Sequence, residues 1–207
     1  LNTINLLLTL SSISLVPFFL VSATSFLRTV IVLSMIRQSL QTQQAPPNSV
    51  IVSLAIFMTI FVMTPTWQEI NTTAIKPYNE GKITQKAAMT LATKPIRQFM
   101  LRFTREKDLA LFLEFSKLKA VDSYEEVPFF VIVPAFIISE LKTAFQIGFL
   151  LFIPFVVIDL IISNILLSLG MFMLSPAMVS LPFKILLFVL TDGWHLIIRG
   201  LLVSFKA

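Results

Sequence analysis

The sequence contains no cysteine and a single histidine, His195. Disulfides, thiolate chemistry and cysteine-ligated metals are excluded, and no histidine cluster exists to hold zinc or iron. Five glycines in 207 residues are too few for phosphate-cradling loops, and neither G-x-x-x-x-G-K-[ST] nor G-x-G-x-x-G occurs. H-E-x-x-H and G-x-S-x-G are also missing. Charge is scarce: Asp, Glu, Lys and Arg make up 13% of the chain, about half the usual share of a soluble domain. What fills the chain is apolar. AVILMFWYC residues reach 56%, with 20 Phe against two Tyr and two Trp, and the mean hydropathy is +0.88. Such a composition rules out intrinsic disorder and a soluble monomer, which would have to expose much of that surface.

The few charges are unevenly placed. A net charge of +5 and a pI of about 9.7 invite a nucleic-acid reading. Yet ten of the 16 Lys/Arg lie between Asn71 and Glu126 among seven Asp/Glu, with no block of like charge and no basic stripe interleaved with aromatics. No nucleic-acid partner is expected. Residues 1–27 and 38–68 carry no charge, and 143–207 carry only Asp159, Lys184, Asp192, Arg199 and Lys206. The order is apolar, polar, apolar.

About 20 mostly apolar residues cross a bilayer as helix. Residues 15–36, 49–68, 143–169 and 183–205 each qualify. The polar stretch Gln41–Asn48, with Pro46-Pro47, makes the first two a helical hairpin. Between the last two, residues 170–176 form an uncharged loop of Gly, Met, Phe, Met, Leu, Ser and Pro. A loop so apolar is expected to be buried against protein. The expected fold is all-α and membrane-associated: two long, kinked apolar hairpins (1–69 and 127–207) around a small polar helical region (70–126). In that region a helix over Thr84–Thr93 stops at Pro95, which opens the next. Phe99 with Phe103, and Leu109 with Phe112 and Leu113, give amphipathic faces packed on the apolar helices. Pro17, Pro134, Pro154 and Pro182 each sit in an apolar run and predict kinks. Residues 1–20 lack a basic leader, and the first residue is Leu, as expected of a mature form after signal cleavage.

Charges within apolar segments cost roughly 2.5–3.5 kcal/mol each at a bilayer centre, so they need a reason. Arg28, Glu140, Lys142, Asp159, Lys184 and Asp192 are the set. An ion relay is one reading. Pairing that fixes assembly geometry is the better one, because no chain of titratable groups runs along any segment. An intramembrane protease would need Asp159 and Asp192 as a dyad, and neither has a supporting motif. Met171 and Met173 are soft, polarizable gap-fillers at a hairpin turn. In a symmetric ring they would meet at one axis. His195 receives no role.

Several long runs carry a resemblance. Ser139-Glu140-Leu141-Lys142-Thr143-Ala144-Phe145-Gln146-Ile147-Gly148-Phe149 is one, and Leu169-Gly170-Met171-Phe172-Met173-Leu174-Ser175-Pro176 is another. Ser180–Lys184, Asp192–His195, Ala45–Asn48 and Thr104–Phe112 add to them. Together they resemble the FliP/SctR family of type III secretion export-gate proteins, the last run in its flagellar form. The resemblance implies a non-enzymatic subunit without cofactor, in a ring of five copies with four FliQ-type and one FliR-type subunits. It implies FlhA- and FlhB-type components downstream and unfolded secretion substrates. It implies a gasket at Met171, Phe172 and Met173, where the family usually has Met in the middle. It also implies an inter-subunit ion pair between Glu140 and Lys184, and the other charges in apolar segments, Lys142 and Asp159, are expected to take part in inter-subunit pairing as well. The implied location is the bacterial inner membrane at the flagellar basal body, with 70–126 on the periplasmic side. A naive positive-inside count would put that region in the cytoplasm, but the rule is weakest for long segments. A reading from another class is a stand-alone secondary transporter or proton channel, with Asp159 as its titratable group.

Overall fold

A computed structural model describes residues 14, 17–42, 44–116 and 127–206. Among them every regular element is helical. In order these are α1 (Pro17–Ala23), α2 (Phe26–Ser39), α3 (Asn48–Ile70), a π segment (Asn71–Ile75) and α4 (Lys76–Asn79). Next come α5 (Gln85–Phe103), α6 (Glu106–Phe115), α7 (Phe129–Ser168), α8 (Pro176–Leu190) and α9 (Gly193–Ser204). The expected all-α architecture is present. Residues 1–13, 15–16 and 117–126 lie outside the described residues, and with them the leader region, Val16 and the end of the polar stretch.

Two helical runs are long and apolar enough to cross a membrane: Asn48–Asn79, of 32 residues, and Phe129–Ser168, of 40. Two bent pairs, α1 with α2 and α8 with α9, raise the number to four if each is one span. At 1.5 Å per residue α7 is about 60 Å long, twice the roughly 30 Å of hydrocarbon. It begins 14 residues before the expected 143. Only 11% of its most apolar 18-residue window is buried within the chain.

The breaks do not fall at the prolines. Pro134 and Pro154 lie inside the unbroken α7, Pro182 inside α8, and Pro17 in α1. The sharp bends are 85° at Thr24-Ser25 and 63° at Thr191-Asp192. There hydroxyls compete for main-chain carbonyls: Thr24 donates to the Leu20 carbonyl, Ser22 to Phe18 (2.7 Å) and Thr191 to Leu187 (2.9 Å). Asp192 takes the left-handed conformation (φ 50°), which an aspartate tolerates. Nor does Pro95 start a new helix. It is buried within a single α5, where packing offsets the roughly 3 kcal/mol an interior proline costs. Thr84 caps α5, accepting from the Ala87 N–H at 3.3 Å.

The chain divides into two compact units, each drawn from two stretches. Unit 1 takes Leu1–Leu27 with Thr59–Lys142. Its core is Met100, Leu109, Val127, Val131, Ile132, Ala135 and Phe136, with Phe99, Phe103, Phe112 and Leu113 packed against it. The rings of Phe99 and Phe103 are 5.1 Å apart, as their i, i+4 spacing predicts. Arg97 donates to the Val127 carbonyl and lies over the Phe129 ring at 4.5 Å. At about 1.5–3 kcal/mol per fully buried large side chain, this core fixes α5 and α6 on the start of α7.

Unit 2 takes Arg28–Met58 with Thr143–Ala207. α2 approaches α7 closely at Gly148, where a Cβ would overlap the Met35 side chain. Arg28, buried, donates to the Ser204 carbonyl (3.0 Å) and hydroxyl (3.1 Å) and lies 4.0 Å over the Phe205 ring. A guanidinium there suits the negative end of α9.

Candidate functional site

The turn between α7 and α8 is built by main-chain bonds. Gly170 has φ +76°, a conformation free for glycine alone. Its N–H bonds to the Leu167 carbonyl (3.1 Å), and that of Met171 bonds to Leu166 (2.9 Å). Those two bonds form a Schellman motif, which satisfies carbonyls left open at the end of α7. Pro176 starts α8 at its first position, where a missing N–H costs nothing. Between them the side chains of Met171, Phe172, Met173 and Leu174 are exposed, Met173 completely (100%). Within its own chain the turn is therefore open, not covered as its apolarity suggests.

Two polar nodes lie inside the units. In unit 1, Ser139 and Lys142 of α7 meet Asp108 of α6. The Ser139 hydroxyl donates to Asp108 Oδ2 (2.8 Å) and accepts from the Arg105 N–H (3.0 Å), and Lys142 Nζ donates to Asp108 Oδ1. Burial alone would push the Asp108 carboxyl up. The hydrogen bonds from Lys142 and Ser139, with the charges of Lys142 and Arg105, outweigh burial and hold the carboxyl below its ordinary 3.8. Ser and Lys three apart is also a nucleophile–base spacing. Here the hydroxyl proton is committed to a carboxylate and the lysine to an ion pair, so neither attacks nor abstracts.

In unit 2, Lys184 Nζ donates to Asp159 Oδ2 (2.7 Å), the Ser180 hydroxyl to Asp159 Oδ1 (2.6 Å) and Gln41 Nε2 to Oδ2 (3.2 Å). Lys184 also reaches the Ser39 carbonyl at the end of α2 (3.5 Å). Ser180, Lys184 and Phe188 recur every four residues and form the buried face of α8. Asp192 is exposed, 3.9 Å from His195, while Asp159 is held by other groups, so the two acids form no dyad. Glu140 is fully buried and engaged. Among the described residues no group of three His, Cys, Asp or Glu is placed to hold a metal ion.

The structure thus brings together Met171, Phe172 and Met173 in one turn, and pairs Asp159 with Lys184. It gives Lys142 a partner, Asp108, that sequence reasoning did not single out. The signal was present: Asp108 stands four before Phe112 on the stripe that buries Leu109, an acid at a core position. Gln41 and Ser180 were missed because an uncharged donor in a loop or an apolar helix carries no pattern of its own.

The FliP family model matches residues 8–201. The chain belongs to the FliP family. The flagellar biosynthetic protein FliP of Bacillus subtilis (strain 168) is 53% identical over 204 residues, 99% of this chain and 92% of that protein. FliP of Pectobacterium carotovorum subsp. carotovorum is 46% identical, over 98% of this chain and 79% of that protein. FliP of Aquifex aeolicus (strain VF5) is 45% identical, over 99% and 87%. The match to FliP runs through both units, so the exposed turn and both polar nodes lie within it.

Proposed function

We propose that the chain is a non-enzymatic subunit of the flagellar type III protein export channel, forming the gated entrance pore for unfolded proteins at the bacterial inner membrane. Five copies, with FliQ- and FliR-type subunits, build the pore, and FlhA- and FlhB-type components work with it. The polar region 70–126 lies on the periplasmic side. The observation that carries this reading is the turn at Met171–Leu174. A rigid main-chain lock holds four apolar side chains away from their own chain, so their cover is the same turn in sister copies. Two thioethers and a phenyl ring per copy then close the central hole with a deformable apolar seal. A 60 Å apolar helix with little self-burial also needs neighbours beyond a bilayer. Of the four charges expected at subunit contacts, Lys142 and Asp159 keep an open side and are the ones we assign there. Glu140 and Lys184 are covered by their own chain. A stand-alone proton channel would require Asp159 as a free carboxyl, and three donors engage it.

The test is Met171→Ala with Met173→Ala in cells that assemble the complex. Resting ion permeability is expected to rise by about an order of magnitude while the complex still forms, because each removed side chain opens a void too large to close by relaxation. Unchanged permeability in an assembled complex would sink the gasket. A purified particle with the mass of one chain would sink the channel reading altogether.

A further inference from the structure

We infer that Gln41 is a latch on the hairpin that carries the 170–176 turn, an inference that rests on the gasket reading. Gln41 has φ 56°, a left-handed conformation that a residue with a long side chain rarely adopts. It follows the last turn of α2, with its N–H on the Gln38 carbonyl (3.0 Å), a place where glycine would sit without strain. What glycine cannot supply is the side chain. Gln41 Nε2 donates to Asp159 Oδ2 at 3.2 Å, an oxygen it shares with Lys184.

The position of that contact gives it a mechanical role. Asp159 lies nine residues before the end of α7 and Lys184 eight after the start of α8, about 12–14 Å from the tip along each arm. The Asp159–Lys184 pair joins the two arms to each other. Gln41, with the Lys184 contact to the Ser39 carbonyl, joins that clasp to the α2–α3 loop. The Gln41 tie is the one that opens freely, because it is exposed and its release leaves the ion pair intact. Releasing it also frees a strained backbone. With only the long Lys184–Ser39 carbonyl contact (3.5 Å) then left on that side, the hairpin swings as one piece, both arms still clasped, and the turn moves off the axis.

The experiment uses the assembled complex. Gln41→Gly keeps the left-handed turn and deletes the tie; Gln41→Asn keeps the amide one methylene too short. Spin labels on cysteines at Gln44 and Ser168 read hairpin position, and resting ion permeability reads the seal. Both variants are expected to widen the label-distance distribution and to raise permeability about two- to tenfold, the population change one hydrogen bond controls. The Met171→Ala, Met173→Ala variant should leak more, with the distances unchanged. If the methionine variant leaks while both Gln41 variants keep the parent distances and seal, the latch is overturned and the gasket stands. If the distances widen but no variant leaks, the latch stands and the gasket falls. If the distances do not widen and nothing leaks, both are overturned.

Discussion

Each unit contains one node where an aspartate meets a serine and a lysine from one neighbouring helix, and the two nodes divide burial in opposite ways. In unit 1 the acid is buried (2% exposed) and the base half open (48%). In unit 2 the base is buried (0%) and the acid partly open (25%). Both helices place Ser and Lys one turn apart on one face, at i, i+3 or i, i+4. The difference lies in what survives when the open partner is lost. Asp108 would keep a hydroxyl donor and the nearby Arg105 charge. Lys184 would keep only the long contact to the Ser39 carbonyl. An ion pair's value therefore follows from its more buried member and that member's other partners.

Asp159→Ala should be the most damaging change to this pattern. It strands a buried ammonium and should cost about 3–5 kcal/mol. Adding Lys184→Met should restore most of it, since an apolar side chain of similar length removes the stranded charge. Thermal unfolding of the purified assembly measures both, and a double variant no more stable than the single one contradicts the argument. Lys142→Met should cost less, about 1–3 kcal/mol, because Asp108 keeps Ser139 and water screens the site. Should it cost more than Asp159→Ala, the comparison is inverted. The serines refine the ranking. Ser139→Ala should cost about 2 kcal/mol, because it removes both a donor to Asp108 and an acceptor of the Arg105 N–H. Ser180→Ala should cost about 1 kcal/mol, because it removes a donor to Asp159 with a longer contact to the Ala177 carbonyl, and no main-chain N–H depends on that hydroxyl. Equal losses would mean the Arg105 contact contributes nothing.

The smallest expected effect is on pH dependence. The folded carboxyl of Asp108 titrates below its unfolded value, so its stabilisation is complete above about 3.8 and disappears as the pH falls through the lower folded value. Trp67 lies in unit 1 and Trp194 in unit 2, which separates the reports. With Trp194→Phe, the Trp67 transition should fall to lower temperature only below pH 3.8. With Lys142→Met added, the largest lowering partner is gone and the folded carboxyl moves back up toward its unfolded value, so the acid-side fall should shrink. A transition insensitive to pH in both backgrounds would show that the pair is not coupled to folding.

The large plan was legible because it is written in charge and oil. Two uncharged stretches, a mixed polar centre and an uncharged turn after Gly170 lead directly to hairpins of helices. The turn itself could be read because glycine, then an apolar run, then Ser175-Pro176 is a stop followed by a start. The two sharp bends, at 24–25 and 191–192, carried no such mark. Proline draws attention as a breaker, yet Pro134 and Pro154 stand inside an unbroken α7 and Pro182 inside α8. The sharp bends fall beside hydroxyls at Ser22, Thr24 and Thr191 that bond main-chain carbonyls, residues that look harmless in a sequence because each can either face outward or capture a carbonyl. The polar nodes were half legible. Lysines and acids in apolar helices stand out, but a partner 34 residues away in another helix is set by packing, and Asp108 became visible only once α6 lay against α7.

No side chain between Gly170 and Pro176 appears in the bonds that shape the turn; the amides and carbonyls do that alone. Folding of the hairpin is thus indifferent to which oily groups occupy its crest. A phenyl ring at Phe172 between the thioethers of Met171 and Met173 fits that indifference. In the proposed gasket, tightness becomes a property that substitution can tune residue by residue, at no expense to the scaffold that presents it.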